Sequence, residues 1–213
     1  RWLVPRLARF AEKHPSISLR LSSAANTVDG SENTVLEEAV VDPRSPSSEL
    51  AIRFGTGHYP GLVVEKIFSP ECIPVCSPTL PTVERPLSEY SDLRFHLLIH
   101  DETIGYETNQ QADWQYWLHA AGIHDIDVRH GTHFSNAVLA IEAAINGQGI
   151  ALALKPLVDT DLACGRLIAP FTLTVPSTFA YFLVMPKSIS ERAAVTAFRD
   201  WLLAEGNLAS GHE

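Results

Sequence analysis

The sequence predicts an α/β fold with mainly parallel sheets. Strand-length apolar or alternating runs recur along the chain, at residues 50–54, 62–68, 150–154 and 179–185. Segments with apolar residues at helical spacing lie among them. Strands and helices that alternate in this way form sheets covered by helices. At 213 residues and 46% hydrophobic content, the chain can build a core without a metal or disulfide staple.

Leu3, Leu7, Phe10 and Ala11 share helical spacing, and Pro5 is tolerable only in a first turn, so a helix opens the chain and ends at His14-Pro15. Ile17, Leu19 and Leu21 alternate with Ser18, Arg20 and Ser22, the period of a half-buried strand. The pattern fades over residues 24–48, where residues 35–39 suit a short helix and residues 43–48 a loop. A compact strand over 50–54 stops at Gly55-Thr56-Gly57, a second covers 62–68, and residues 71–76 are extended. Ser88 is placed to cap a short helix before Leu93, and residues 96–99 form a strand.

Further on, Trp114, Trp117 and Leu118 mark a helix over 112–121 that Gly122 ends. A strand follows over 128–134. Ser135 or Asn136 then caps a helix with Val138, Ile141, Ala144 and Ile145 on one face, closed by Gly147 and Gly149. Residues 150–154 are a buried-type strand and 179–185 another. The last helix, over 190–203, sets Val195, Phe198, Trp201 and Leu202 on one side.

Composition excludes several functions. The formal net charge is −9, and no cluster of Lys or Arg offers phosphates a grip. Cys72, Cys76 and Cys164 form no CxxC pair, which suits a reducing compartment, and Cys72 and Cys76 read as buried fillers. His119, His124, His130 and His133 fit no zinc spacing, so no metal and no cofactor is expected. There is no GxSxG elbow, no HExxH and no phosphate-cradling loop. No run is long and apolar enough for a membrane span.

Five stretches, in their order and spacing across nearly the whole chain, resemble LysR-type transcription regulators. They are RWLVPRLARFAEKHPSISLRLS (1–22), ELAIRFGTGHYPGL (49–62), PVCSPTL (74–80), FSNAVLAIEAAINGQGIALA (134–153) and FRDWLLAE (198–205). The nearest subgroup contains the glycine-cleavage activator and the β-lactamase regulator. The resemblance implies a periplasmic-binding-protein-like fold of two α/β lobes joined by two crossing strands, residues 71–76 leading out and 179–185 returning. The first lobe is then discontinuous, with residues 1–70 as its N-terminal part and 178–213 as its return strand and C-terminal helix. The second lobe is 71–177. In the family a strand and a Ser/Thr-bearing turn precede the first helix, so the first lobe is expected to be N-terminally truncated. Residues 26–48 are longer and more polar than the family's stretch, which holds a helix used in dimer contacts.

The same resemblance implies a ligand-sensing regulatory domain rather than an enzyme. A small anionic or amphoteric effector is expected between the lobes, in a cytoplasmic homodimer or tetramer that reaches DNA only through an N-terminal winged helix-turn-helix. An exported periplasmic solute-binding protein of the same fold is the alternative. The antiparallel dimer of such domains would use residues 17–21 and 138–145.

Candidate effector contacts follow from chemistry at strand ends. Arg53, with Phe54 and Gly55, ends a strand, and ligands of parallel sheets bind beyond such ends. A guanidinium there can clamp a carboxylate or serve a structural ion pair. Ser135 and Asn136 stand at a helix N-terminus, whose N–H groups and dipole favour anions. The resemblance also places these two in the effector cleft. Tyr181 offers a phenol on the return strand, and His100, beside Asp101, is a further candidate. The acidic balance leaves little counterion release to drive association with nucleic acid. A gel shift at physiological salt is therefore expected to show no submicromolar, sequence-selective binding of duplex DNA by this chain.

Overall fold

The computed structural model describes residues 1–22, 49–104 and 112–209. In chain order its elements are α1 (Leu7–Lys13), β1 (Ala51–Gly55), β2 (Leu62–Phe68), β3 (Glu71–Val75), β4 (Leu98–Asp101), α2 (Ala112–Ala120), β5 (Gly131–Phe134), α3 (Ala137–Ile145), β6 (Ile150–Leu154), α4 (Lys155–Ala163), β7 (Val175–Pro176), β8 (Ala180–Pro186) and α5 (Ala193–Ala209). They fall into two compact units. The outer unit is Trp2–Ser69 with Thr178–Glu213, and the middle unit is Pro70–Ser177 with Arg1.

In the outer unit β8 runs between β1 and β2, antiparallel to both. Its run of Leu183, Val184 and Met185 is fully buried, as a central strand requires. The long helix α5 packs on β2, and Gly206 makes the approach close: a Cβ there would lie 2.5 Å from the Ile67 carbonyl oxygen. On α5, Phe198 and Trp201 meet the buried Phe10 of α1 at ring distances of 5.4 and 5.1 Å. Arg9 of α1 donates to the buried carboxylate of Glu205 on α5 at 2.6 Å.

The middle unit holds a five-stranded sheet in the order β5-β4-β6-β3-β7. The alanines of α3 let it settle against this sheet. Ala140, Ile141, Ala143 and Ala144 form one core with Ile73 and Val75 of β3, Ile99 of β4 and Ala151 and Ala153 of β6. Arg1 donates to Asp161 of α4 and to Glu142 of α3, so one guanidinium braces both helices. Arg166 adds a second ion pair to the same buried Asp161.

Several expectations need correction. The sheets are not mainly parallel: only β4 pairs in parallel, with β5 and β6, while β3 and β8 run against their neighbours. These two follow directly on chain segments of the other unit, and each enters its sheet from the opposite end to the strands it joins. Residues 17–21 form no strand. No described segment pairs with them, and Leu19 and Leu21 are 39% and 49% exposed. The strand expected over 128–134 is only β5, because Asp127 accepts from the backbone and side chain of Arg129 and folds the preceding residues into a turn. Val138 is 51% exposed, so the buried face of α3 is rotated toward Ala140 and Ala143. Ala11 is likewise exposed, because α1 spans only seven residues and buries only Phe10.

The strand expected over 96–99 runs instead over β4, because the 3-10 turn Tyr90–Phe95 ends at His96, whose N–H donates to the Leu93 carbonyl. That turn is capped by Glu89, not Ser88, since Glu89 and Asp92 exchange side-chain-to-backbone bonds. Helix α4 was not anticipated; Lys155-Pro156 at its start is a first-turn signal that the apolar run before it masks. The helix and loop expected within residues 35–48 lie outside the described residues.

The contrast on α3 gives a measurable difference. Replacing the buried Ile141 by Ala is expected to cost about 2–5 kcal/mol of unfolding free energy in a denaturant titration. Replacing the exposed Val138 by Ala should change it by no more than about 0.5 kcal/mol.

Candidate functional site

The sequence-derived candidates divide between the two units. In the outer unit, Arg53, Phe54 and Gly55 close β1 opposite Phe182, Tyr181 and Ala180 of β8. Side chains alternate along a strand, so Arg53 and Phe54 leave opposite faces of the sheet. Phe54 and Tyr181 are brought together, with ring centroids 4.7 Å apart. Phe179 and Phe68 join them, at 5.5 Å from Phe54 and 5.0 Å from Tyr181. Arg53 lies on the other face, 2% exposed, with its guanidinium carbon 5.4 Å from the Tyr59 ring centre. The Phe182 ring shares that face and meets Tyr59 edge-on. Gly57, at φ +86°, permits this arrangement, since a Cβ there would stand 2.6 Å from the Phe182 ring.

In the middle unit, His100, Asp101, Ser135 and Asn136 gather at the carboxyl ends of the parallel strands β4 and β5. The register pairs His100 with His133 and Asp101 with Phe134. The two imidazoles stack at 4.3 Å, inclined by 7°. His100 is 9% exposed, and its Nε2 is buried without a hydrogen-bond partner. Gly131 closes over it, for a Cβ there would lie 2.9 Å from that nitrogen. Burial first, and the neighbouring His133 second, push the His100 pKa down to about 4. This imidazole is therefore neutral at physiological pH.

Asn136 is the N-cap of α3: its backbone is extended and its Oδ1 accepts from the Leu139 N–H at 3.0 Å. Ser135 is exposed just ahead of it. The helix start thus combines an exposed hydroxyl, a capping amide and a positive dipole end, an arrangement suited to a carboxylate or similar anion. Sequence reasoning had given Asp101 only a minor place and weighed His133 only as a metal ligand, a role it rejected. Both are chemically prominent here because the parallel register aligns β4 with β5, which no local motif encodes.

A separate hollow of 440 Å3 lies at the C-terminal end of α2, lined by residues including His119, His124, Asp127 and Arg129. In it Asp127 accepts two side-chain bonds from Arg129 at 2.9 Å, and the His119 and His124 rings lie 5.1 Å apart. Among the described residues no group of three or more His, Cys, Asp or Glu can hold a metal ion. No described helix is long and apolar enough to cross a membrane.

Comparison with known proteins agrees with this architecture. The family described as LysR substrate binding domain matches residues 1–207. The glycine cleavage system transcriptional activator of Escherichia coli strain K12 is 36% identical over 204 residues, covering 96% of this chain and 60% of that protein. The transcriptional activator AmpR of Pseudomonas aeruginosa is 32% identical over 203 residues, covering 95% of this chain and 60% of that one. The solved effector domain of AmpR from Pseudomonas aeruginosa superposes with a TM-score of 0.75 at 30% identity, over 98% of this chain and 90% of that one. The chain belongs to the LysR substrate-binding domain family, with its periplasmic-binding-protein-like fold. It spans about 60% of the length of the curated relatives it matches.

The depressed pKa of His100 fixes the sign of a pH effect. The folded state binds its proton near pH 4 and the unfolded chain near the ordinary 6.5, so the unfolded chain holds more protons in between. The contribution of His100 to stability is complete above about 6.5 and is lost as pH falls toward 4. The buried Asp101, whose pKa is raised by desolvation, acts with the opposite sign. Nitrogen-detected NMR is expected to show His100 still neutral at pH 5.5, with a His100→Gln variant losing less stability between pH 7 and 4.5. A ring that titrates near 6.5 contradicts this burial.

Proposed function

We propose that this chain is the effector-sensing part of a LysR-type transcription regulator and carries no catalytic activity of its own. The reading is carried by one observation: an exposed Ser135 and a capped, dipole-positive helix start at Asn136 stand at the carboxyl edge of parallel strands, beside His100. A small anionic or amphoteric molecule contacts this edge through Ser135 and Asn136. In the outer unit, the aromatic edge of Phe54 and Tyr181 beside Gly55 is a separate candidate ligand surface. Binding shifts the population between assembly states, driven by the difference in affinity for them.

DNA binding belongs to an N-terminal winged helix-turn-helix of the whole regulator, which acts in the cytoplasm as a homodimer or tetramer. Exposed apolar side chains support self-association through the two segments the family resemblance singles out. Leu19 and Leu21 are open in residues 17–21, and Val138 and Leu139, 51% and 48% exposed, are open on α3. In a two-fold assembly each patch recurs on both partners, so the contact closes on itself.

Sedimentation equilibrium is expected to show a dimer, and Val138→Glu with Leu139→Glu to shift it to monomer without loss of the folded state. A strict monomer at high protein concentration counts against the assembly. For the ligand, a thermal-shift screen of small carboxylates should find stabilisers. Ser135→Ala should weaken the best of them by about 0.5–1.5 kcal/mol, the scale of one hydrogen bond. Stabilisation only by neutral, apolar compounds contradicts the proposed chemistry.

A further inference from the structure

Asp101 ends β4 and is 5% exposed. Ile99, two residues earlier and hence on the same face, packs against Ala140, Ile141 and Ala144 of α3. Asp101 therefore leaves the sheet on the side that α3 covers, at the carboxyl edge. Its register partner is Phe134, and the following Glu102 N–H donates to the Phe134 carbonyl at 2.9 Å, just before the cap Asn136. The carboxyl group and the start of α3 are thus neighbours within one unit.

Only half of this carboxylate is used. The Thr103 N–H and hydroxyl donate to Oδ1 at 3.0 and 2.7 Å, whereas Oδ2 is buried and has no hydrogen-bond partner. An acceptor left dry and unpaired inside a protein is costly, and natural folds rarely keep one without a use. A purely anionic ligand at α3 would bring a second negative charge toward it, and no described ion pair compensates Asp101. A molecule carrying both charges resolves both demands.

We infer that Asp101 is a ligand contact whose free oxygen receives an amino group, so that the effector is amphoteric: its carboxylate sits at the first turn of α3 and its ammonium on Asp101 Oδ2. The inference rests on the reading of the α3 start as part of the effector site. Thr103 is a positioning residue, for its two bonds to Oδ1 fix which oxygen remains open.

The test compares matched probes by calorimetry and thermal shift on the unmodified chain: glycine, alanine and serine against acetate and propionate, with ethylamine as the cationic control. The amino acids are expected to bind at least about tenfold tighter than the deaminated acids, the scale of one charge-assisted hydrogen bond. Asp101→Asn keeps an acceptor for Thr103; it should abolish that preference by weakening the amino acids and, with the repulsion removed, strengthening acetate, and it should not lower the thermal midpoint. Deaminated acids that bind as tightly as amino acids overturn the role of Asp101 while leaving the anion site at α3 standing. A preference for amino acids that survives in Asp101→Asn overturns it too. The absence of binding by both acids and amino acids overturns both readings.

Discussion

The arrangement of the middle unit depends on how closely β4 is enclosed. All four of its residues are buried, flanked by β5 and β6 in parallel register. Two glycines allow this: a Cβ on Gly131 would stand 2.2 Å from the Leu98 carbonyl oxygen, and one on Gly149 would stand 2.3 Å from that of Leu97. A strand buried on both faces is expected to be apolar throughout, as β6 is. β4 instead carries His100 and Asp101 into the interior at its carboxyl end. Each retains a buried polar atom without a partner, and such atoms cost free energy in a structure that gains nothing from them.

That cost is placed where a ligand can offset it. The dipole of α3 and the capped turn at Asn136 face the same edge from the helix side, supported by the alanine-lined contact between α3 and the sheet. Arg1 braces α3 and α4 on the same side of the sheet, through Glu142 and Asp161. The proposed site is thus the polar end of an otherwise well-packed α/β layer, while the aromatic cluster of Phe54, Phe68, Phe179 and Tyr181 ends the sheet of the outer unit.

Much of the fold was readable from the amino-acid sequence because its signals are local. The 150–154 run became β6, Asn136 proved to be a helix cap, and Gly122 and Gly147 adopt the positive φ of helix C-termini. Pairing direction was not readable, since whether β8 runs with or against β1 depends on where the chain re-enters, not on the residues of either strand. Residues 17–21 alternate as a strand should, but alternation does not supply a hydrogen-bonding neighbour. At the site, side-chain type drew attention to Arg53 and Tyr181, yet strand alternation sends Arg53 to the face opposite Tyr181. The half-satisfied carboxyl group of Asp101 arises only from tertiary packing, so no pattern in the sequence announces it.

The measurement that bears most directly on the central claim is backbone amide NMR of the chain during titration with serine. The amides of Ser135, Asn136, Ala137 and Val138, and those of Asp101 to Thr103, are expected to shift together with one saturating curve. Saturable shifts confined to the hollow lined by Leu118, His119, His124 and Arg129, with the start of α3 unmoved, would contradict the account.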